Sequence, residues 1–163
     1  MSAESLVAAL AARGMTLAVA ESLTGGLVAS SIIAVPGASQ VLLGGVVAYA
    51  TALKRDAVGV DAALLEREGA VHPEVAAQLA DRVRGALAVD GRPADAGIGT
   101  TGVAGPAPQD GRAPGTVFVA AAAGERVVVE ELELHGSRAE IRAAAAAAAL
   151  ELLERALDPG SVE

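Results

Sequence analysis

Met15-Thr16-Leu17-Ala18-Val19-Ala20, then Glu21-Ser22-Leu23-Thr24-Gly25-Gly26, then Leu27-Val28-Ala29-Ser30-Ser31-Ile32-Ile33 is the stretch on which the fold turns. The first six residues have the length and apolarity of a buried strand, and the last seven suit the start of a helix. Between them lies a Gly-rich turn carrying two hydroxyls. A strand that hands over to a helix through such a turn is the unit from which α/β proteins build sites at the ends of their strands. The first helical amides point back at the turn and suit a phosphate or a developing oxyanion. Ser22 is the candidate nucleophile. Read only as structure, Ser22 and Thr24 cap a tight turn.

Outward from this stretch the elements alternate. A helix from about Glu4 to Arg13 ends at Gly14, a suitable left-handed cap, before the first strand. After the Ser22 turn and its helix, Val35-Pro36-Gly37-Ala38-Ser39 reads as a loop and Leu42 to Tyr49 as a second strand. Thr51 to Val58 and Asp61 to Glu68 read as two short helices parted by Gly59. Pro73 to Ala88 is a longer helix, with Pro73 at its first position and Glu74 in the first turn. Ala94 to Thr100 is a third strand and Thr101 to Gly115 a long Gly/Pro-rich loop, of a length that favours a binding role. Thr116 to Ala123 and Arg126 to Leu134 form a hairpin around Gly124-Glu125, and Arg138 to Leu157 is the closing helix. The pattern predicts an α/β fold: a three-layer α/β/α sandwich with a mixed sheet, in a single domain over residues 1–157. Residues 158–163 are expected to be a disordered tail. The Ser22 turn, the Tyr49 to Lys54 segment and the Thr100 to Pro106 loop each follow a strand and are expected to converge.

Composition narrows the chemistry. The 163 residues are 53% hydrophobic, with one Tyr, one Phe, no Trp and a formal charge of -8. Single-stranded nucleic acid would find neither stacking platforms nor an attractive field, so no nucleic-acid partner is expected. A small anion needs only one or two arginines. With no cysteine there is no disulfide, thiolate metal site or Cys nucleophile. His72 and His135 lack ligand spacing, so no metal is expected. Neither a signal peptide nor a membrane span is readable, so a cytoplasmic protein without a membrane partner is expected. The Ala-rich last helix suits a homodimer.

The ordered blocks Ala20-Glu21-Ser22-Leu23-Thr24-Gly25-Gly26, Val35-Pro36-Gly37-Ala38-Ser39, Gly44-Gly45-Val46-Val47-Ala48-Tyr49 with Lys54, Thr101-Gly102-Val103-Ala104-Gly105-Pro106, Pro114-Gly115-Thr116-Val117 and Gly136-Ser137-Arg138 with Arg142 resemble one family. It is the C-terminal domain of the CinA competence/damage-inducible proteins, whose stand-alone form is a nicotinamide-nucleotide amidase. The resemblance runs from about Glu4 to Leu157. It implies a serine amidohydrolase that converts nicotinamide mononucleotide and water to nicotinate mononucleotide and ammonia through a Ser/Lys dyad, Ser22 and Lys54, with no metal or organic cofactor. Supporting positions fall on Glu21, Tyr49, Thr101 and Arg138, and the glycines of both loops, Gly25, Gly26 and Gly102, shape the pocket beside Thr24. The long form of the family carries an N-terminal pyrophosphatase domain, for which this chain is too short.

Chemistry sets conditions on that expectation. A serine hydroxyl needs a base, and a lysine serves only if burial or a neighbouring positive charge, such as Arg138, lowers its pKa from about 10.4. The oxyanion would fall to amides near Gly25-Gly26 or the Gly102 loop, with Thr101 relaying a proton or positioning the amide. Arg138 and Arg142, one helical turn apart, would clamp the phosphate. Tyr49 would stack on the pyridinium ring or donate its hydroxyl. Plainer readings stand beside each of these. They are a solvent-facing Lys54, a turn hydroxyl at Thr101, surface pairing of the arginines with Glu140, and simple packing for Tyr49. Departures from the family pattern are Ala50-Thr51 for Ser-Asn, Leu23 for Cys, Ser137 for Asp and His72 for Ser. A non-catalytic nucleotide-binding module and an amidase for another amide are the alternatives.

Overall fold

The first helix, α1 (Ala3–Arg13), stops at Gly14, whose φ of +62° gives the left-handed turn into β1 (Leu17–Glu21). This computed structural model describes residues 3–158. From β1 the chain runs through α2 (Leu27–Ile33), a short 3₁₀ turn at Ala38–Gln40 and β2 (Leu42–Val47). It continues through α3 (Thr51–Leu53), a π-helical turn at Lys54–Val58, α4 (Ala62–Glu68) and α5 (Pro73–Ala86). Then come β3 (Ala96–Gly102), the hairpin β4 (Thr116–Ala123) and β5 (Arg126–Glu133), and α6 (Arg138–Leu157). The strands form one mixed sheet in the order β2-β1-β3-β4-β5. β1 pairs in parallel with β2 and β3, and the remaining neighbours are antiparallel. Helices cover both faces, which is the three-layer arrangement expected from the alternation of elements.

Alternation along the strands divides the core. Leu17 and Val19 of β1, Ala96 and Ile98 of β3, and Val117, Val119 and Ala121 of β4 pack under α1, α2 and α6. Ala18 and Ala20 face the opposite layer with Val58, Leu64, Val75 and Leu79, while Phe118, Ala120 and Ala122 meet Ala76 and Ala80 of α5. Few aromatics are needed because the layers lie close. A Cβ at Gly97 would sit 1.9 Å from the Ala80 carbonyl oxygen and one at Gly99 2.5 Å from that of Ala76, so only glycine lets α5 approach β3 this closely. Ala145, Ala149 and Leu153 give α6 a buried face of mostly small side chains.

The differences from the sequence reading are local. β1 starts at Leu17 and includes Glu21, and β2 stops at Val47. Strand β3 runs through Thr101 and Gly102, which shortens the long loop to 103–115. The single helix expected over Thr51 to Val58 is an α turn followed by a π-helical turn that begins at Lys54. Such turns widen the backbone and occur often at functional sites. Asp158 pairs with Arg13, and the rest of the expected tail lies outside the described residues. Among the described residues, no helix is long and apolar enough to cross a membrane.

Candidate active site

The C-terminal end of β1 places Glu21 and Ser22 in the middle of the sheet, between β2 and β3. Glu21 is buried, and its carboxylate accepts the amides of Gly26 at 3.1 Å, Val28 at 3.1 Å and Ala29 at 2.9 Å. The amides of Gly25 and Leu27 go to the carbonyls of Ser22 and Thr24. The start of α2, expected to receive a phosphate or an oxyanion, is therefore filled by the protein's own anion. The supporting and substrate-binding place expected of Glu21 becomes that of an internal cap, favoured by the helix dipole.

Arg142 grips the same turn from α6. Its Nε donates to the Leu23 carbonyl at 2.7 Å and its Nη2 to that of Thr24 at 3.1 Å. Gly25 has φ +59°, and a Cβ there would lie 2.9 Å from Arg142 Nη2, so glycine answers both the backbone and the crowding. Arg142 is half-buried against these carbonyls and does not line the open pocket beside Tyr49, unlike Arg138. The β3 side adds Thr100, whose Oγ1 accepts the Ser22 amide at 3.2 Å and lies 2.8 Å from Thr24 Oγ1. Thr100 was not singled out in the sequence. Its signal was strand parity: Ala96 and Ile98 face the α2/α6 layer, so Thr100 does too.

Thr101, one residue on, faces the α5 layer. It is buried, and its hydroxyl donates to the Ala70 carbonyl at 2.7 Å. That bond occupies the proton a relay would need. Gly102 makes room for β4: a Cβ there would lie 2.8 Å from the Thr116 carbonyl oxygen.

Lys54 heads the π-helical turn and is 1% exposed, among the largest fully buried side chains of the described residues. It is also the only lysine of the chain, against eleven arginines, a count in the sequence that was available as a signal. Its Nζ donates to Ser22 Oγ at 3.1 Å, to the Ala48 carbonyl at 2.8 Å and to the Tyr49 carbonyl at 3.2 Å. Among the described residues no carboxylate bonds to it. Burial lowers its pKa from 10.5 to about 8, and the more distant charge of Asp110 opposes the shift. Burial takes the part that the sequence reading shared with a nearby Arg138. An arginine in this place would hold its proton at any ordinary pH.

Arg138 lies at the mouth of the site, exposed. Its Nη1 donates to the Gly105 carbonyl at 2.6 Å and its Nη2 to the Tyr49 hydroxyl at 3.2 Å. Tyr49, 62% exposed, therefore joins two regions: its carbonyl holds Lys54 and its ring reaches Arg138. Both residues line an open pocket of about 290 Å³ with the loop from Gly102 to Gln109, a volume near the lower end for small-molecule sites.

A model of the family described as the CinA C-terminal domain matches residues 1–157. The chain belongs to this family. A CinA-like protein from Frankia casuarinae is 46% identical over 148 residues, which is 91% of this chain and 33% of the relative. A putative competence-damage inducible protein from Geobacillus kaustophilus is 48% identical over 131 residues, 80% of this chain and 30% of the relative. The chain thus spans about a third of the length of these CinA relatives. Among solved structures, competence/damage inducible protein CihA from Agrobacterium tumefaciens superposes with a TM-score of 0.86 at 33% identity, covering 96% of this chain and 93% of its own. The CinA superfamily protein from Escherichia coli gives 0.84 at 30% identity, covering 95% and 90%. The mixed sheet and its helical layers are thus the CinA-superfamily fold.

Proposed function

We propose that this CinA domain is a serine amidohydrolase that deamidates nicotinamide mononucleotide, with Ser22 as nucleophile and Lys54 as general base. The observation that carries the reading is the 3.1 Å approach of Lys54 Nζ to Ser22 Oγ, with both side chains buried. A neutral amine has two hydrogens and one lone pair. The carbonyls of Ala48 and Tyr49 can only accept, so they take the two hydrogens and leave the lone pair facing the Ser22 hydroxyl. With a pKa of about 8, roughly a tenth of the lysine is neutral at pH 7, and the ammonium remains available as an acid. A domain that only binds nucleotides gains nothing from a buried lone ammonium, whose shift costs about 3 kcal/mol at neutral pH.

In the first half-reaction Ser22 Oγ attacks the carboxamide carbon as its proton passes to Lys54 Nζ, and the carbonyl electrons move onto oxygen. The Leu23 amide, which takes part in none of the bonds that fill the turn, is the donor next to the nucleophile for that oxyanion. Collapse breaks the C–N bond, Lys54 returns its proton to the leaving nitrogen, and ammonia departs. Water then adds to the nicotinoyl ester, giving its proton to Lys54. The ester C–O bond breaks, Ser22 Oγ recovers the proton, and the acid leaves.

At the open end, Tyr49 offers an aromatic face to the pyridinium ring. Arg138 keeps donors to spare beyond its two protein bonds for the phosphate. Release of ammonia and nicotinate mononucleotide tests the proposal. Folded wild-type protein is expected to turn over, and Ser22→Ala and Lys54→Ala variants of equal stability are expected to be inactive. Turnover that survives in Ser22→Ala would overturn it.

A further inference from the structure

The sheet ends in two edges of different character. β5, at one edge, exposes Arg126, Glu131 and Glu133 among its valines, and charges on an edge strand discourage a further strand from pairing there. β2, at the other, reads Leu-Leu-Gly-Gly-Val-Val and carries none. It pairs with β1 alone, so the backbone groups along its outer side meet no strand among the described residues. The lack of charge extends well beyond the strand. In a chain of which 20% is charged, no residue from Ser22 to Leu53 is Asp, Glu, Lys or Arg. Shape varies along the same edge. At the start of β2, Ile33, Val35, Ala38, Leu42, Leu43 and Gly44 line a hollow of about 460 Å³. At its finish the surface presents exposed apolar side chains, Val47 and then Tyr49 and Leu53. With Ile33 at the hollow, these are four of the seven large apolar residues exposed among the described residues. Between the two ends lie Gly44 and Gly45, neither with the positive φ that demands glycine. A Cβ at Gly44 would meet only Leu87 Cδ1 at 3.9 Å, an ordinary contact, so packing within the chain does not require a glycine there. Glycine inside a strand often marks the close approach of another backbone.

We infer that β2 is the edge through which two copies of this chain associate, pairing antiparallel about a two-fold axis that crosses Gly44-Gly45 and joins two five-stranded sheets into one. Shape and charge both select a second copy as the occupant. An antiparallel two-fold sets the finish of each strand beside the start of the other, so the exposed apolar end of one copy meets the hollow of its partner, and the match is made twice. Each copy carries a formal charge of -8 and repels its like, and the segment from Ser22 to Leu53 is where two such chains approach at the least electrostatic cost. Pairing β2 with β5 instead would run head to tail and leave an open edge at each end, and the charges of β5 oppose it. The two-fold pair closes. Leu53 directly precedes Lys54, so this contact adjoins the turn that carries the buried amine, although the inference does not depend on the reaction proposed for it.

Sedimentation velocity on the wild-type chain and three variants tests this. Wild type is expected to sediment at twice its 16.0 kDa at micromolar concentration. Val47→Glu and Ile33→Glu place a carboxylate at exposed positions on the two ends of the contact and are expected to weaken association about a hundredfold or more, with denaturant midpoints close to wild type. Val129→Glu makes the same change at the β5 edge and is expected to leave the dimer intact. Hydrogen exchange locates the contact in the unaltered protein: amides of residues 42–47 are expected to exchange more slowly as the concentration rises through the dissociation constant, while those of β5 keep their rates. A wild-type chain that stays monomeric into the millimolar range would overturn the inference and leave the β2 edge to a different protein. A dimer that survives both Val47→Glu and Ile33→Glu, or whose concentration-dependent protection falls outside residues 33–53, would overturn it as well, by placing the contact elsewhere.

Discussion

The two halves of the site are built on opposite terms. Around Ser22 and Lys54 the reacting side chains are buried and held: Glu21 and Arg142 fix the turn, Thr100 fixes the serine backbone, and two carbonyls fix the lysine. Around Tyr49 and Arg138 the side chains are exposed and the wall is a loop. The contrast assigns tasks. A reacting pair needs atoms in register before substrate arrives, whereas a recognition surface can adapt its contacts on binding. Substitutions in the buried half should lower kcat, and those in the exposed half should raise KM.

The largest effect belongs to the pair. Lys54→Arg keeps the charge and removes the base, and together with Ser22→Ala it should lower kcat by about a thousandfold or more, measured by ammonia release. Next comes a pH-dependent stability. The folded pKa of Lys54 lies below its unfolded value, so the unfolded chain binds more protons between about pH 8 and 10.5, and stability rises across that window. The penalty is full below pH 8. Denaturant midpoints should therefore show wild type gaining about 3 kcal/mol on Lys54→Met between pH 8 and 10.5.

Arg142→Ala tests whether the turn needs its grip. Loss of two charged hydrogen bonds to partly buried carbonyls should cost about 2 kcal/mol in chemical denaturation, with a fall in kcat. In the exposed half, Arg138→Ala should raise KM for the mononucleotide about tenfold to a hundredfold while kcat changes little. A large fall in kcat there would erase the distinction between the halves. The smallest effect is expected from Tyr49→Phe, which keeps the ring and the carbonyl at Lys54 but drops the hydroxyl at Arg138. It should raise KM only about threefold in steady-state kinetics.

Much of this was legible in the sequence, for reasons that can be traced. The helix read over Arg138 to Leu157 is α6 as found, and the hairpin followed from the β-rich runs on either side of Gly124-Glu125. The convergence of the Ser22 turn with Lys54 followed from the rule that sites gather where parallel strands end. What stayed hidden was decided by through-space competition for partners. Glu21 looked available for substrate because nothing in a linear pattern shows that three α2 amides turn back to it. The spacing of Arg138 and Arg142 suggested a clamp, yet four residues along α6 the second arginine meets carbonyls instead. That Thr100 rather than Thr101 meets the Ser22 turn hung on which face of β3 met α2, a parity fixed only by packing. The π-helical turn at Lys54 has no composition signal at all.

The central claim is that a buried, partly neutral Lys54 activates Ser22. It is tested most directly by labelling lysine isotopically at Cε, which marks Lys54 alone, and following its resonance and kcat/KM for nicotinamide mononucleotide over the same pH range in the same protein. The account predicts that the lysine titrates near pH 8 and that activity rises with unit slope to a plateau at the same midpoint. A lysine that stays charged past pH 10 while the enzyme is fully active at neutral pH would contradict it.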